Sequence, residues 1–323
     1  MRIAVHSFTR SFSAIAAVLL AACSSGPQLR DYKVSNQAVE LKDLPYYAQD
    51  GQQGAPAALA TLLGGSGVQA APAELAPLVV DRQSGDVTPA AVRGAPAHFG
   101  RVSTVMRSKQ LDLDVVREVQ AQHPVLVLLH DGLVLKQWRY AVVIGVDPGA
   151  STFTLRMAGE QHKLMSYGDF IAAWKDGSYW AMLVVHPGEM PEGANTAEWL
   201  AAAAQIEQAG RNEAAVQAYT AVIQRTPNDA QAWLGLGRGY YALHNLRGAT
   251  VAFNNAAKLW PNSAAAHNGL AQALVDRQCA DQAEDEAKLA LDLERDPNLR
   301  TAYLKTQRQV AAYSGPSVVC PLE

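Results

Sequence analysis

Hydrophobic spacing divides this chain into three stretches. Phe12 to Leu20 is apolar apart from Ser13. From about Leu44 to His186, short apolar runs alternate with helically spaced ones. Beyond about Thr196 the spacing is helical throughout, rich in Ala, and recurs every 34 residues. In the middle stretch the spacing predicts helices over Ala55–Leu63, Ala71–Val79, Thr88–Phe99 and Leu113–Gln122. It predicts strands over Val102–Met106, Val125–Leu129, Trp138–Val146, Thr152–Leu155, His162–Met165 and Trp180–Val185. Helices first and strands second predict an α+β domain over residues 44–187. Residues 188–195 read as a linker from their Pro, Gly and Glu content, and residues 23–43 as an extended tether.

The 34-residue period carries a specific pattern. Trp233, Leu236, Gly237, Tyr240, Ala249, Phe253, Ala256 and Pro261 stand at the signature positions of a tetratricopeptide repeat. One period earlier Trp199, Ala202, Ala203, Ile206, Ala215, Tyr219, Val222 and Pro227 follow it with conservative exchanges. One period later His267, Leu270, Ala271, Leu274, Ala283, Ala287 and Ala290 fit more loosely, with Pro297 two residues late. Large residues on one helix fill the space over small ones on the next, and Pro ends each pair. Three such units over 196–297 bury a continuous core, and Asn298–Tyr313 reads as a polar-faced capping helix within the C-terminal segment 298–323. Such arrays bind peptides or proteins on a face lined by first helices. Here that face includes Leu200, Glu207, Leu234, Arg238, Tyr241, Asn268, Gln272 and Asp276, with Arg238, Tyr241, Asn268 and Gln272 as the candidate protein-binding set. Arg238 with Asn268 is placed to grip a carboxylate or a backbone amide, and an ordinary solvated face is the alternative.

The stretch from Gln49 to Leu63, Gln-Asp-Gly-Gln-Gln-Gly-Ala-Pro-Ala-Ala-Leu-Ala-Thr-Leu-Leu, resembles the entry to the first helix of the double-glycine-leader (bacteriocin-processing) cysteine peptidases. In that family a thiolate sits at the helix start, where free N–H groups and the helix dipole lower its pKa. Gly54 stands in its place, or Gln53 in the neighbouring register. Trp138-Arg139-Tyr140-Ala141-Val142-Val143 resembles the strand that carries the family's general-base His, with Arg139 at that position. A guanidinium stays protonated and has no acceptor atom, so it takes no proton. The family's acidic third member has no counterpart in Leu155–Ala158, and Asp147-Pro148 reads as a turn. The resemblance implies a two-lobed papain-like domain with a groove between the lobes. The groove residues it implies are Gln49, Gly54, Trp138, Arg139 and Tyr140, with Gln49 in the position of an oxyanion-hole amide. No catalytic residue is carried over, and the domain is read as degenerate.

Arg2 and Arg10 flank the first apolar run, and Leu20-Ala21-Ala22-Cys23 matches a bacterial lipobox. Residues 1–22 are expected to be removed and Cys23 to carry lipid. Ser24 in the next position fits an outer-membrane lipoprotein facing the periplasm. Removal takes away two basic residues and no acid, so formal charge moves from −3 to −5. A mildly acidic chain without Lys/Arg runs offers no nucleic-acid footprint. No His or Cys spacing suits a metal, and no cofactor motif is present. Cys279 falls in the turn of the third repeat, and the end of the capping helix returns to that edge. A Cys279–Cys320 bridge is therefore expected, with two free thiols as the alternative.

The reading is an envelope lipoprotein that joins a degenerate peptidase-like domain to a protein-binding solenoid and holds a peptide or protein partner uncut. Two rivals stay open at this point. One is a hydrolase with unrecognised catalytic residues; the other is a scaffold in which the repeats alone matter.

Overall fold

The computed structural model describes residues 35–48, 54–106, 111–131, 137–157, 159–191 and 194–323. Cys23, Gln49 and Gln53 lie outside these residues, as do the leader and most of the tether.

The first unit is α+β. Its chain order is β1 (Val39–Glu40), α1 (Gly54–Gly65), α2 (Pro72–Val79), α3 (Pro89–Gly94), β2 (Val102–Val105), α4 (Leu111–Gln120), β3 (Val125–Asp131), β4 (Gln137–Asp147), β5 (Thr152–Met157), β6 (Glu160–Ser166), α5 (Tyr167–Asp176) and β7 (Ala181–Val185). All strand pairings are antiparallel, in the order β2-β7-β3-β4-β5-β6, with β1 also paired to β4. The helix expected over Thr88–Phe99 splits instead at Pro96. Thr88 caps α3, and residues Ala95–Phe99 tighten into a 3₁₀ turn that ends on left-handed Gly100. Two elements were not expected. Val39–Glu40 belongs to the sheet rather than to a tether, pinned by Leu41 N donating to Ile144 O at 2.8 Å. Helix α5 is capped by Ser166 and buries Phe170 and Trp174, four residues apart on one face.

Strand β4 is buried on both faces. On one, Tyr140, Val142 and Ile144 pack with Ala55, Ala58, Leu59, Leu62 and Leu63 of α1. On the other, Ala141 and Val143 join Val115, Val116 and Val119 of α4 and Phe170 and Trp174 of α5. A bulge between Val143 and Gly145 shifts the register toward β5. Arg156, only 3% exposed, lies on the α1 side opposite Val142. Its guanidinium donates to the carbonyls of Leu44, Pro45 (2.9 Å) and Lys42 (3.4 Å), fixing the chain that enters α1.

The solenoid comprises α6 (Thr196–Gln208), α7 (Asn212–Arg225), α8 (Ala230–Ala242), α9 (Leu246–Leu259), α10 (Ala264–Asp276), α11 (Ala280–Leu293) and α12 (Pro297–Ala311). Side-chain oxygens of Asn195, Asp229, Asn245, Ser263 and Asp296 cap five of them. Gly237 and Gly269 both lie against the Phe253 ring, where an added Cβ would come within 2.5–2.6 Å. These two glycines explain the small residues in the repeat pattern. Cys279 and Cys320 are bonded, with Cα atoms 5.9 Å apart. Closing a loop of this size contributes roughly 3–4 kcal/mol in the chain-entropy model.

The two units share one apolar core. Trp199, Leu200, Ala203 and Ile206 of α6 and Ala215 and Ala218 of α7 are continuous with Ala97, Val102 and Val185 at the β2 edge of the sheet. Arg211 Nε donates to His98 O at 2.7 Å, and Arg225 donates to the carbonyls of Pro191 (2.8 Å) and Ala194 (3.4 Å), so the linker is tied at both ends. The α+β unit thereby occupies the position of an N-terminal capping repeat, and α6 in turn packs at the β2 edge of the sheet.

This junction predicts that Trp199→Ala, which empties a fully buried site and orphans a bond to Ala218 O, costs about 3–5 kcal/mol. Denaturation followed separately at the sheet and the helices should show both shifting together.

His267 generates a second prediction. It is buried between α10 and α11, with Nδ1 2.6 Å from Glu286 Oε2 and Nε2 2.9 Å from Pro261 O. Both ring nitrogens face acceptors, so the imidazolium is the form that fits, and the Glu286 hydrogen bond raises its pKa above the ordinary 6.5. A raised folded value gives stability that is complete below 6.5 and lost as pH climbs through the folded value. Denaturant midpoints should therefore fall as pH rises above about 6.5 in the parent, and fall less in His267→Gln.

Candidate functional site

Helix α1 ends at the lower edge of the sheet, where an added Cβ on Gly65 would meet Pro124 Cγ at 2.5 Å, just before β3. Twelve helical residues cover about 18 Å. About five or six strand residues cover the same distance, from Pro124 up to Leu129 and His130. Between its ends α1 packs on the sheet through Ala55, Ala58, Leu59, Leu62 and Leu63. The first turn of α1 contains no acidic residue, so the positive end of its dipole is not offset locally.

The walls here are aromatic. Tyr140 and Trp180 meet edge-on with centroids 5.8 Å apart. Trp138, two residues before Tyr140 and on the same face, is 58% exposed and stacks on His130 at 4.5 Å. His130 Nδ1 lies 3.4 Å from Asp176 Oδ2. Trp180 is delivered by a tight passage. Gly177 approaches β3 so closely that an added Cβ would lie 2.0 Å from Leu128 O, and Ser178 and Tyr179 then take left-handed φ values of 55° and 53°. Such geometry costs energy at an aromatic residue and persists where surrounding packing holds it. Here the Tyr179 ring packs edge-on against Trp174 at 5.4 Å.

Strand register corrects the grouping expected at this cleft. Arg139 pairs with Leu129 and shares its face, the one turned to α4 and α5, where it donates to Gln137 Oε1 at 3.4 Å. Tyr140 pairs with Leu128, and its ring joins the α1 side. Tyr140 and Trp138 thus share the α1 side of the strand, and Arg139 does not. The residue of β4 that faces the helix is a phenol. Burial pushes its pKa up to about 12, so it stays a hydrogen-bond donor at any ordinary pH. Trp180 and the His130–Asp176 pair were not among the expected cleft residues. The signal for Trp180 was the Gly177 turn that precedes it. Nothing local in sequence ties His130 to Asp176, 46 residues away.

On the solenoid, the expected protein-binding residues are engaged with one another's helices. Arg238 meets Glu207 through two bonds of 2.7 and 2.9 Å, and this pairing raises its pKa further. Tyr241 donates to Asp276 at 2.7 Å, Gln309 donates to Asp276 at 3.1 Å, and Gln272 donates to Thr306 at 3.1 Å. These bonds join α6 to α8, α8 to α10 and α10 to α12. Asn268 differs, because its Oδ1 is buried without a partner among the described residues. The expected grip of Arg238 with Asn268 on a carboxylate does not fit this arrangement, since Glu207 already neutralises the guanidinium.

No protein-family pattern matches the chain, and no curated protein matches it by sequence. Solved structures do. A C39-like peptidase from Bacillus anthracis aligns at 14% identity over 46% of this chain and 98% of that one, with a TM-score of 0.39. The peptidase domain of Streptococcus ComA, a bi-functional ABC transporter of a quorum-sensing pathway, aligns at 18% identity over 45% and 98%, with a TM-score of 0.36. The TPR2B domain of yeast Sti1, solved with a pHsp70 complex, aligns at 19% identity over 36% and 95%, with a TM-score of 0.34. The chain itself joins an antiparallel α+β unit to an array of helical hairpins. Among the described residues there is no group of His, Cys, Asp and Glu arranged to hold a metal, and no helix long and apolar enough to cross a membrane.

The register generates a reactivity prediction. Gly54→Cys places a thiol at the start of α1, and Tyr140→His added to it should speed alkylation near neutral pH by about tenfold or more through thiolate formation. Arg139→His added instead should leave the rate at that of Gly54→Cys alone. Iodoacetamide labelling of the three variants reads this directly.

Proposed function

We propose that this chain is an envelope lipoprotein, anchored through Cys23 and facing the periplasm, that holds a peptide or protein partner without cutting it. The observation that carries the reading is Tyr140 on the face of β4 that packs with α1, and Gly54 as the residue that opens that helix. Neither of these two positions offers a sulfur to attack or an imidazole to accept a proton. The chain's other two cysteines, Cys279 and Cys320, are bonded to each other in the solenoid. What remains is an aromatic set, Trp138, Tyr140 and Trp180, on the α1 side of the sheet, beside an array whose first helices form a polar face. Extended peptide suits both: stacking and apolar contact for side chains, donors for carbonyls.

The hydrolase alternative would need His130 as its base, because Asp176 orients that ring. Among the described residues no hydroxyl or thiol hydrogen-bonds to the His130 ring, so the dyad lacks a nucleophile.

The test uses the full chain, immobilised, with a tryptic digest of envelope proteins. A subset of peptides should be retained, Trp138→Ala should reduce their retention several-fold, and mass spectrometry should detect no new termini over hours. Time-dependent new termini that vanish in His130→Ala would overturn the reading in favour of the hydrolase. In cells, Cys23→Ser should shift the chain from the membrane fraction to the soluble one, and unchanged fractionation would sink the anchor.

A further inference from the structure

The last residues, 314–323, run without helix or strand across the second helices of the array. Gln282 of α11 donates to Cys320 O at 3.2 Å and accepts from Cys320 N at 2.7 Å. Both main-chain groups of one residue turn to the same side in extended backbone, as in an antiparallel pair. Asn254 of α9 donates to Leu322 O at 2.9 Å, and Asp281 N donates to Ser317 Oγ at 3.1 Å. The Leu322 side chain packs with the core that includes Leu270 and Leu274. The groove between α9 and α11 therefore already holds an extended apolar segment, the chain's own.

The repeat builds the same groove one unit earlier, between α7 and α9. Thr220, Asn245, Arg247 and Gly248 stand 34 residues before Asn254, Cys279, Asp281 and Gln282. They line an open groove of about 460 Å³, a size that suits side chains of a bound segment. Its lining differs from that of the strap groove in two ways. Half-buried Ile223, Trp233, Tyr240 and Val251 stand where the next unit has Ala257, His267, Leu274 and Asp285, so these walls are bulkier and more apolar. The charge is also reversed. The next unit brings Asp281, Asp285 and Glu286 to these positions, whereas the open groove carries Arg247 and no acidic residue. Arg247 is exposed and makes no hydrogen bond or ion pair among the described residues. Arg277 is near it: burial lowers the Arg277 pKa, and the charge of Arg247 lowers it further. An occupant that complements this edge brings a carboxylate.

We propose that the groove between α7 and α9 binds an extended segment of a partner protein as the next groove holds the strap, with a large apolar side chain against Trp233 and Tyr240 and a neighbouring carboxylate on Arg247. This rests on the reading of a held partner and names a surface and a ligand chemistry for it. Contact falls on the second helices, away from the first-helix face whose polar groups are already bonded to one another. The ligand is the strap's chemistry adjusted to the lining: a bulkier apolar residue for the wider apolar walls, and an acid for the reversed charge.

The experiment titrates the full chain calorimetrically with three end-blocked peptides. The first, N-acetyl-Val-Ser-Pro-Phe-Glu amide, copies Val319–Glu323 with Ser for Cys and Phe for Leu. The second has Ala in place of Phe, and the third has Lys in place of Glu. The first should bind about tenfold or more tightly than the second, for the apolar surface it buries. It should bind about three- to fivefold more tightly than the third, the range of an exposed ion pair. Arg247→Glu should reverse the order of the Glu and Lys peptides. That substitution puts an acid in the first turn of α9, where the helix dipole favours it, so the melting temperature should not fall. An order unchanged by Arg247→Glu, with binding weakened by Trp138→Ala, would overturn the groove assignment while the held-partner reading stands. Equal affinity for the three peptides would overturn the ligand chemistry. Binding of none of them would overturn the proposal, and the digest experiment then decides separately whether any peptide is held.

Discussion

The cleft depends on the alternation of one strand. β4 is packed on both faces, by α1 on one side and by α4 and α5 on the other, so its side chains cannot exchange sides without turning the whole apolar set outward. Three consecutive even positions, Tyr140, Val142 and Ile144, pack on the α1 side, and this packing assigns Tyr140 to the floor of the cleft. The same constraint sends Arg139 to the opposite face. The bulge near Gly145 re-phases the strand only after the cleft has been passed, where Val39 O lies close enough to favour a residue without a side chain.

The second constraint is the core shared by the sheet and the first repeat. An ordinary linker would leave the cleft and the concave face free to move independently, as interfaces between domains usually allow. Here Trp199 is buried against the β2 edge, and Arg211 and Arg225 fasten the chain on either side of it. The cleft and the helical face therefore keep a fixed relation. At the far end the disulfide and the tail do the same work, with Asn254 donating to Leu322 O and Gln282 bonding Cys320 through both its amide atoms. The solenoid is closed at one end by a sheet and at the other by a strap.

Much of this architecture was legible in the sequence because its causes are local. The repeat pattern is a set of size complementarities, and Phe253 against Gly237 and Gly269 is that pattern seen in atoms. The missing thiol and imidazole are readable as absences of residue types. What was not legible depends on register and on partners distant in the chain. Motif spacing put Arg139 in the general base's place, and only the pairing of β3 with β4 shows that Tyr140 faces the helix. Arg238 and Asn268 both fall on first helices, as the period requires, yet the period is silent on Glu207, which takes the guanidinium. Helix α5 escaped notice because the seven residues of β6 before it are mostly polar and its own buried face is only Tyr167, Phe170, Ala173 and Trp174.

The polar face of the solenoid bears on how a partner would be recognised. Each bond between successive first helices satisfies groups that a peptide would otherwise engage, so a ligand there exchanges one set of hydrogen bonds for another and gains little from them. Glu207 with Arg238 is partly exposed and therefore contributes modestly either way. Affinity along that face must come from apolar contact, since the unpaired Asn268 Oδ1 is buried beneath it. The aromatic residues beside α1 have the opposite character, with Tyr140 Oη unpaired among the described residues and Trp180 ordered against its ring. A partner that reaches both would thus owe its anchoring to the cleft and its selectivity to the exchange along the helices, with the shared core setting the distance between the two.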